Sequence, residues 1–321
     1  MRESGYCGKA LLLVVLGMVL LTSGALADTA EPAIYIASQE GLFISTDGGA
    51  TFVTRTTADG LASDMTRCVL VHDGTVLVGT TAAFSISYDG GISFATRSPF
   101  PAVFPRIASL SDWGDTLYAA DESGFVYASE DAGETYARVG RVMAGWVYAL
   151  TLHEGVLYAA TGDGLMLSHD GGVTFEEVTE ANGLGSSLVY DVFADASGVY
   201  AATSNGLSVS LDGGTTFVTY RQADGLAADR VICIRVASDV IYVGTAAGLS
   251  MSSDGGETFV SKTQADGLAE AKVQRIAVRN GVLYVIGLNG GLSLSYDGGE
   301  TFITPTADGL LGVTVTDMAV E

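Results

Sequence analysis

Residues 273–304 show the pattern on which most of the chain is built. Val273 to Val278 alternates enough apolar and polar side chains to predict a strand, and Asn280-Gly281 is a hairpin turn signal. Val282 to Ile286 predicts a second strand, Asn289-Gly290 turns into a third at Leu292 to Ser295, and Asp297-Gly298-Gly299 turns into a fourth at Thr301 to Thr304. These strands carry Ala, Val, Leu, Ile and Thr on both parities, the pattern of a small sheet covered on both faces.

The same unit recurs. The signature Ser/Thr-x-Asp-x-Gly-x-Thr/Ser-Phe/Tyr stands seven times, with aspartates at Asp47, Asp89, Asp131, Asp170, Asp212, Asp254 and Asp297, spaced 42, 42, 39, 42, 42 and 43 residues apart. Four short antiparallel strands in about 42 residues is the size of a propeller blade. The expected fold is therefore all-β, a seven-bladed β-propeller. Its phase predicts closure: residues Ala33 to Ala37 read as the second strand of a blade, and Thr316 to Val320 as a first strand. The C-terminal strand is thus expected to complete the N-terminal blade, in place of the polar capping repeats that an open stack requires.

Within each blade the outermost strand has a free edge, which proteins guard with charge or proline. The equivalent position there holds Arg55, Arg97, Val139, Val178, Tyr220, Lys262 and Pro305, so the basic residues are read as edge protection.

Composition narrows the partners. The 321 residues carry a formal net charge of -22, which disfavours nucleic acid and anionic membrane surfaces. Residues 1–27 read as an export leader: Arg2 and Lys9, an apolar run from Ala10 to Leu21, and Ala25-Leu26-Ala27 as a cleavage signal. A single propeller over residues 28–321, secreted or periplasmic and monomeric, is expected, with an uncleaved N-terminal anchor as the alternative. Cys68 and Cys233 fall at one repeat position four blades apart, too distant for a disulfide, and are expected as free buried thiols. No His/Cys/Asp spacing suggests zinc, and no phosphate loop or dinucleotide fingerprint occurs, so neither metal nor cofactor is expected.

The seven boxes, for example Ser252-Ser253-Asp254-Gly255-Gly256-Glu257-Thr258-Phe259, resemble the Asp-box or bacterial neuraminidase repeat. That repeat is found in sialidases, xyloglucanases, sortilin-type receptors and the photosystem II assembly factor. The resemblance implies a propeller that serves either a binder or an enzyme. Its aspartates are read as turn residues, because an Asp carboxylate in a hairpin turn accepts backbone N–H bonds and glycines supply positive φ. Asp-Gly-Gly offers too few oxygens for calcium. A sialidase-like site would bring an arginine triad and a Phe/Tyr-Arg-Ile-Pro segment; the nearest segment here, Phe104-Pro105-Arg106-Ile107-Ala108, departs in order. Xyloglucanase-like chemistry would need paired carboxylates, which spacing does not single out.

Breaks in the repeat mark the remaining candidates. Five connections carry Asp/Asn-Gly-Leu, at Asp59, Asn182, Asp224, Asp266 and Asp308, whereas 98–104 and 140–146 do not. There Phe100, Phe104, Arg141 and Trp146 form a candidate ligand-binding patch, or else the phenylalanines fill the space left by the missing Gly-Leu. At the ring centre, the position of Cys68 is expected to hold Arg106, Ala149, Asp191, Cys233, Arg275 and Asp317 in the other blades. Arg106, Asp191, Arg275 and Asp317 are thus channel candidates, with an Arg275–Asp317 ion pair between adjacent blades as the simpler reading. The functional expectation is an exported, non-catalytic binding or scaffolding module for a protein or glycan, with a carbohydrate-active enzyme using paired carboxylates as the alternative.

Overall fold

The computed structural model describes residues 31–97, 106–143, 145–305 and 309–321. The leader read over residues 1–27, the candidates Phe100 and Phe104, and Asp308 lie outside the described residues. The fold is a seven-bladed β-propeller. Six blades are four-stranded antiparallel sheets and the seventh has three strands; each strand is hydrogen-bonded to its neighbour in the sequence except in blade 1, whose inner strand comes from the C-terminus. In that blade Val273–Arg279, Val282–Gly287 and Leu292–Ser295 lie as expected, but the fourth strand is reduced to the single bridge Leu294 to Ile303. Proline is the physical reason. Blade 1 continues its ladder from Ile44–Val53 to Leu42–Arg55; Pro305 occupies the position of Arg55 and has no N–H to donate.

The ring closes through its termini. Val315–Val320 pairs antiparallel with Ile34–Ser38, from Ile34 opposite Val320 to Ala37 opposite Asp317, and so forms the inner strand of blade 1. Apolar clusters fill the gaps between neighbouring blades rather than one central core. Between blades 1 and 2, for instance, Tyr35, Leu42 and Ile44 meet Leu61, Val76 and Phe94. This placement explains why both parities of the strands are apolar.

The repeated turn is a closed hydrogen-bond unit. Ser45 Oγ donates to Asp47 Oδ1 (2.8 Å), Thr51 N–H donates to the same oxygen (2.9 Å), Thr51 Oγ1 donates to Oδ2 (2.6 Å), and Gly49 N–H donates to Ser45 Oγ (2.9 Å). Asp89, Asp131, Asp170, Asp212, Asp254 and Asp297 are held in the same way. The hydroxyl and N–H donors of Thr51 and Ser45 lower the Asp47 carboxyl from an ordinary 3.8 to about 2. Asp89, Asp170 and Asp297 fall to about 2 for the same reason. A carboxylate whose pKa is depressed on folding contributes stability above its unfolded pKa and loses it as pH falls through the folded value. The urea midpoint is therefore expected to be flat above about pH 5 and to drop steeply between about pH 4 and pH 2. Asp89→Asn should flatten part of that drop, as read from urea unfolding followed by circular dichroism across pH.

Neighbouring blades are fastened at these turns. Arg55 Nε donates to Gly91 O at 2.8 Å, Lys262 Nζ donates to Glu300 O at 3.2 Å, and Arg97 lies 3.7 Å from the Glu134 carboxylate. The basic outer-strand residues thus reach the next blade's turn besides standing on the edge. The Asp-Gly-Leu connection adds a second fastening. Asp59 caps a short 3-10 turn by accepting Thr56 N–H, Gly60 takes φ +99°, Leu61 is buried, and Asp59 O accepts Phe94 N–H of the next blade at 3.0 Å. A Cβ on Gly60 would stand 2.0 Å from Phe94 O, so only glycine fits.

Candidate functional site

Each of the seven inner strands slips by one residue against its partner. In blade 2, Thr66 faces Thr80 and Cys68 faces Gly79, leaving Arg67 as the extra residue. The same slip leaves out Ala108, Tyr148, Tyr190, Ile232, Gln274 and Thr316. A β-bulge bends the strand and re-aims the side chain of the added residue. Seven coincident bulges therefore set one tier around the channel mouth. Two residues earlier a rim tier holds Met65, Arg106, Trp146, Leu188, Arg230, Lys272 and Thr314; one residue later a deeper layer holds Cys68, Ser109, Ala149, Asp191, Cys233, Arg275 and Asp317.

This register corrects the position of Arg106. Ser109, not Arg106, is the blade 3 equivalent of Cys68, because Ser109 faces Ala120 as Cys68 faces Gly79. The connection before this strand lacks the Asp-Gly-Leu from which the other blades are counted. Arg106 instead shares the rim tier with Trp146.

The deep layer is bonded around the ring. Asp317 Oδ2 accepts Val69 N–H at 3.1 Å, Ser109 Oγ accepts Leu150 N–H at 3.0 Å, and Asp191 Oδ2 accepts Ile234 N–H at 3.1 Å. Blades 1, 3 and 5 thus supply an acceptor to the inner strand of the next blade, while blades 2, 4 and 6 carry the small Cys68, Ala149 and Cys233. Seven is odd, so strict alternation cannot close. The seventh position is Arg275, whose Nε donates to Asp317 Oδ1 at 3.0 Å. Burial alone would lower the Arg275 pKa, but the carboxylates of Asp317 and Asp191 hold it above its ordinary value. Asp191 also receives Arg235 NH1 at 3.2 Å. Both channel aspartates are therefore committed to donors. Cys68 and Cys233 are free and buried; burial, with Asp191 nearby, pushes the Cys233 thiol up to about 12. These are packing thiols, not nucleophiles.

The mouth is polarised. Tyr148 and Tyr190, on blades 4 and 5, stand with ring centroids 6.0 Å apart and planes at 57°. The Arg230 guanidinium of blade 6 lies 4.9 Å above the Tyr190 ring. With Lys272, Gln274, Ile232 and Leu288 these residues line a hollow of about 220 Å³. Across the mouth, Glu122 pairs with both Arg67 (3.0 Å) and Arg106 (3.6 Å). Among the described residues no carboxylate lies within 4.0 Å of the Arg230 or Lys272 cations.

The other patch candidates separate. Trp146 is 54% exposed on the rim. Arg141 ends the outer strand of blade 3, where its guanidinium and that of Arg138 stand 4.8 and 4.9 Å from the Phe125 ring, and it lines a groove of about 780 Å³ with Met143 and Phe175. Tyr148, Tyr190, Arg230 and Lys272 were not singled out by the sequence reading. Their signal is the chain aligned to itself: they stand one and three residues before the deep layer, in columns where Arg67 and Trp146 also fall. Among the described residues no group of three or more His, Cys, Asp or Glu side chains is placed to hold a metal ion, and no helix is long and apolar enough to cross a membrane.

Known proteins with this architecture include both binders and enzymes. No family profile matches the chain. A xyloglucanase of Hypocrea jecorina (strain QM6a) is 30% identical over 177 residues, a stretch that spans 50% of this chain and 20% of that enzyme. YCF48 bound to D1 peptide superposes with a TM-score of 0.58 at 16% identity, covering 75% of this chain and 81% of that one. The extracellular domain of the B. thetaiotaomicron hybrid two-component system BT3049 gives a TM-score of 0.62 at 13% identity, covering 84% of this chain and 45% of that one. At such identities the structural likeness establishes the fold.

Proposed function

We propose that the protein is an exported, non-catalytic binding or scaffolding module whose channel mouth receives a protein or glycan partner, acting as a monomer. One observation carries this reading: seven bulges at one register gather an aromatic and cationic surface on a rigid ring, the composition that recognition sites favour. Export rests on the leader pattern of residues 1–27, and the extracellular propeller from B. thetaiotaomicron is consistent with it. YCF48, similar in fold, is bound to a peptide. Residues 28–321 tested on glycan and peptide arrays are expected to give ligands whose binding falls at least about ten-fold in Tyr190→Ala, the loss of a buried aromatic contact. Ligands bound equally by Tyr190→Ala would move the site elsewhere.

The likeness to a xyloglucanase favours hydrolysis as the second reading. Asp191 and Asp317 are its channel carboxylates, yet both already accept arginine and backbone donors. Release of reducing sugar from xyloglucan, abolished in Asp191→Asn or Asp317→Asn variants that remain folded, would establish it in place of the binding reading.

A further inference from the structure

We infer that the mouth takes an acidic sugar unit, with the pyranose ring on Tyr148 and Tyr190 and its carboxylate against Arg230 and Lys272. This rests on the reading of the mouth as the binding site and names the ligand's chemistry.

Charge distribution is the first argument. In a chain of net charge -22, where acids outnumber bases 37 to 15, two cations stand at the same rim position of adjacent blades with no carboxylate within ion-pair distance among the described residues. The neighbouring charges are already engaged. Arg275, deeper in the hollow, is held by Asp317, and Glu270, two residues before Lys272, accepts the backbone N–H groups of Asn289 and Gly291. Like charges placed side by side on a rigid ring repel, and a bound carboxylate relieves that repulsion through charge-assisted hydrogen bonds.

Shape is the second argument. The hollow of about 220 Å³ is small, below the ~300–1,000 Å³ of sites that enclose drug-sized ligands. It offers the tilted rings of Tyr148 and Tyr190, with Arg230 over the Tyr190 ring, and a Gln274 amide, so one sugar ring with an anionic substituent and hydroxyls meets aromatic, cationic and amide groups together. An extended peptide is instead read along a sheet edge or a long groove.

Isothermal titration of residues 28–321 with oligosaccharides of galacturonate, glucuronate and mannuronate, with methyl-esterified and neutral counterparts and with an acidic peptide, tests this. At least one uronate series is expected to bind, about ten-fold weaker or more when esterified, in Arg230→Gln/Lys272→Gln, and in Tyr148→Ala. Raising salt should weaken the acidic ligand alone. Equal binding of neutral or esterified sugars, lost in Tyr190→Ala, would overturn the carboxylate assignment and leave the mouth as the site. The acidic peptide bound in place of the sugars would overturn the sugar. Binding of none of these probes would overturn the inference, while an unrelated array ligand lost in Tyr190→Ala would still uphold the mouth.

Discussion

Deleting residues 313–321 is expected to abolish the cooperative unfolding transition, leaving a chain without a defined melting temperature. The segment supplies the whole inner strand of blade 1, paired along Ile34–Ser38. It buries Val313, Val315 and Met318 against blades 7 and 1. Full burial of an aliphatic side chain is worth about 1.5–3 kcal/mol, so these three approach the total stability of ~5–15 kcal/mol typical of a domain before any lost ladder is counted. Removing the strand also exposes the inner edge of Ile34–Ser38, and a ring without closure has no polar cap at either end. Circular dichroism melts and size exclusion of the truncated protein test this. A synthetic peptide of residues 313–321 added in trans should restore part of the transition, whereas an unchanged melting temperature would mean that the termini do not lock the ring.

The second large effect is expected at Asp317. Its two carboxylate oxygens serve different partners, Val69 N–H in blade 2 and Arg275 in blade 7, so one side chain joins three blades. Asp317→Ala leaves a guanidinium and a backbone N–H without their acceptor, and breaking a buried ion pair costs about 3–5 kcal/mol. The side chains of Arg275 and Asp317 are 21% and 20% exposed, which places the expected loss nearer about 2–3 kcal/mol, since exposed pairs are worth less. Asp317→Asn keeps an acceptor for Val69 N–H and should lose less. Asp317→Ala combined with Arg275→Leu should recover stability relative to Asp317→Ala alone, because the stranded charge is gone. Urea unfolding of the wild type, Asp317→Ala, Arg275→Leu and the double variant forms the cycle, with Asp317→Asn measured beside it; a loss under about 0.5 kcal/mol for Asp317→Ala would reduce the pair to an ordinary surface contact.

Much of the fold was legible because each repeat states its own turns. Asn-Gly and Asp-Gly-Gly mark the hairpins, and the phase of Ile34–Ser38 against Val315–Val320 states the closure. Legibility failed where a marker was missing. Without Asp-Gly-Leu before blade 3 the inner strand was counted three residues out of register, which put Arg106 at the depth of Ser109. The fourth strand of blade 7 stops at one bridge because Pro305 withdraws a donor, a consequence of one residue within an otherwise convincing strand pattern. Bulges are harder still: an extra residue changes which side chain faces the mouth without changing the hydrophobic alternation much. The tier of Tyr148 and Tyr190 therefore emerged from pairing register, while the strands carrying it were visible in the sequence.

The central claim is that recognition occurs at the mouth where the bulges lie. Hydrogen–deuterium exchange of residues 28–321 with and without a saturating uronate oligosaccharide, or the array ligand that binds tightest, tests it most directly. The account predicts slowed exchange confined to the stretches around 146–149, 188–191, 230–233 and 272–275. Protection on the opposite-face hairpins or along the outer strands, with those four stretches unchanged, would contradict it.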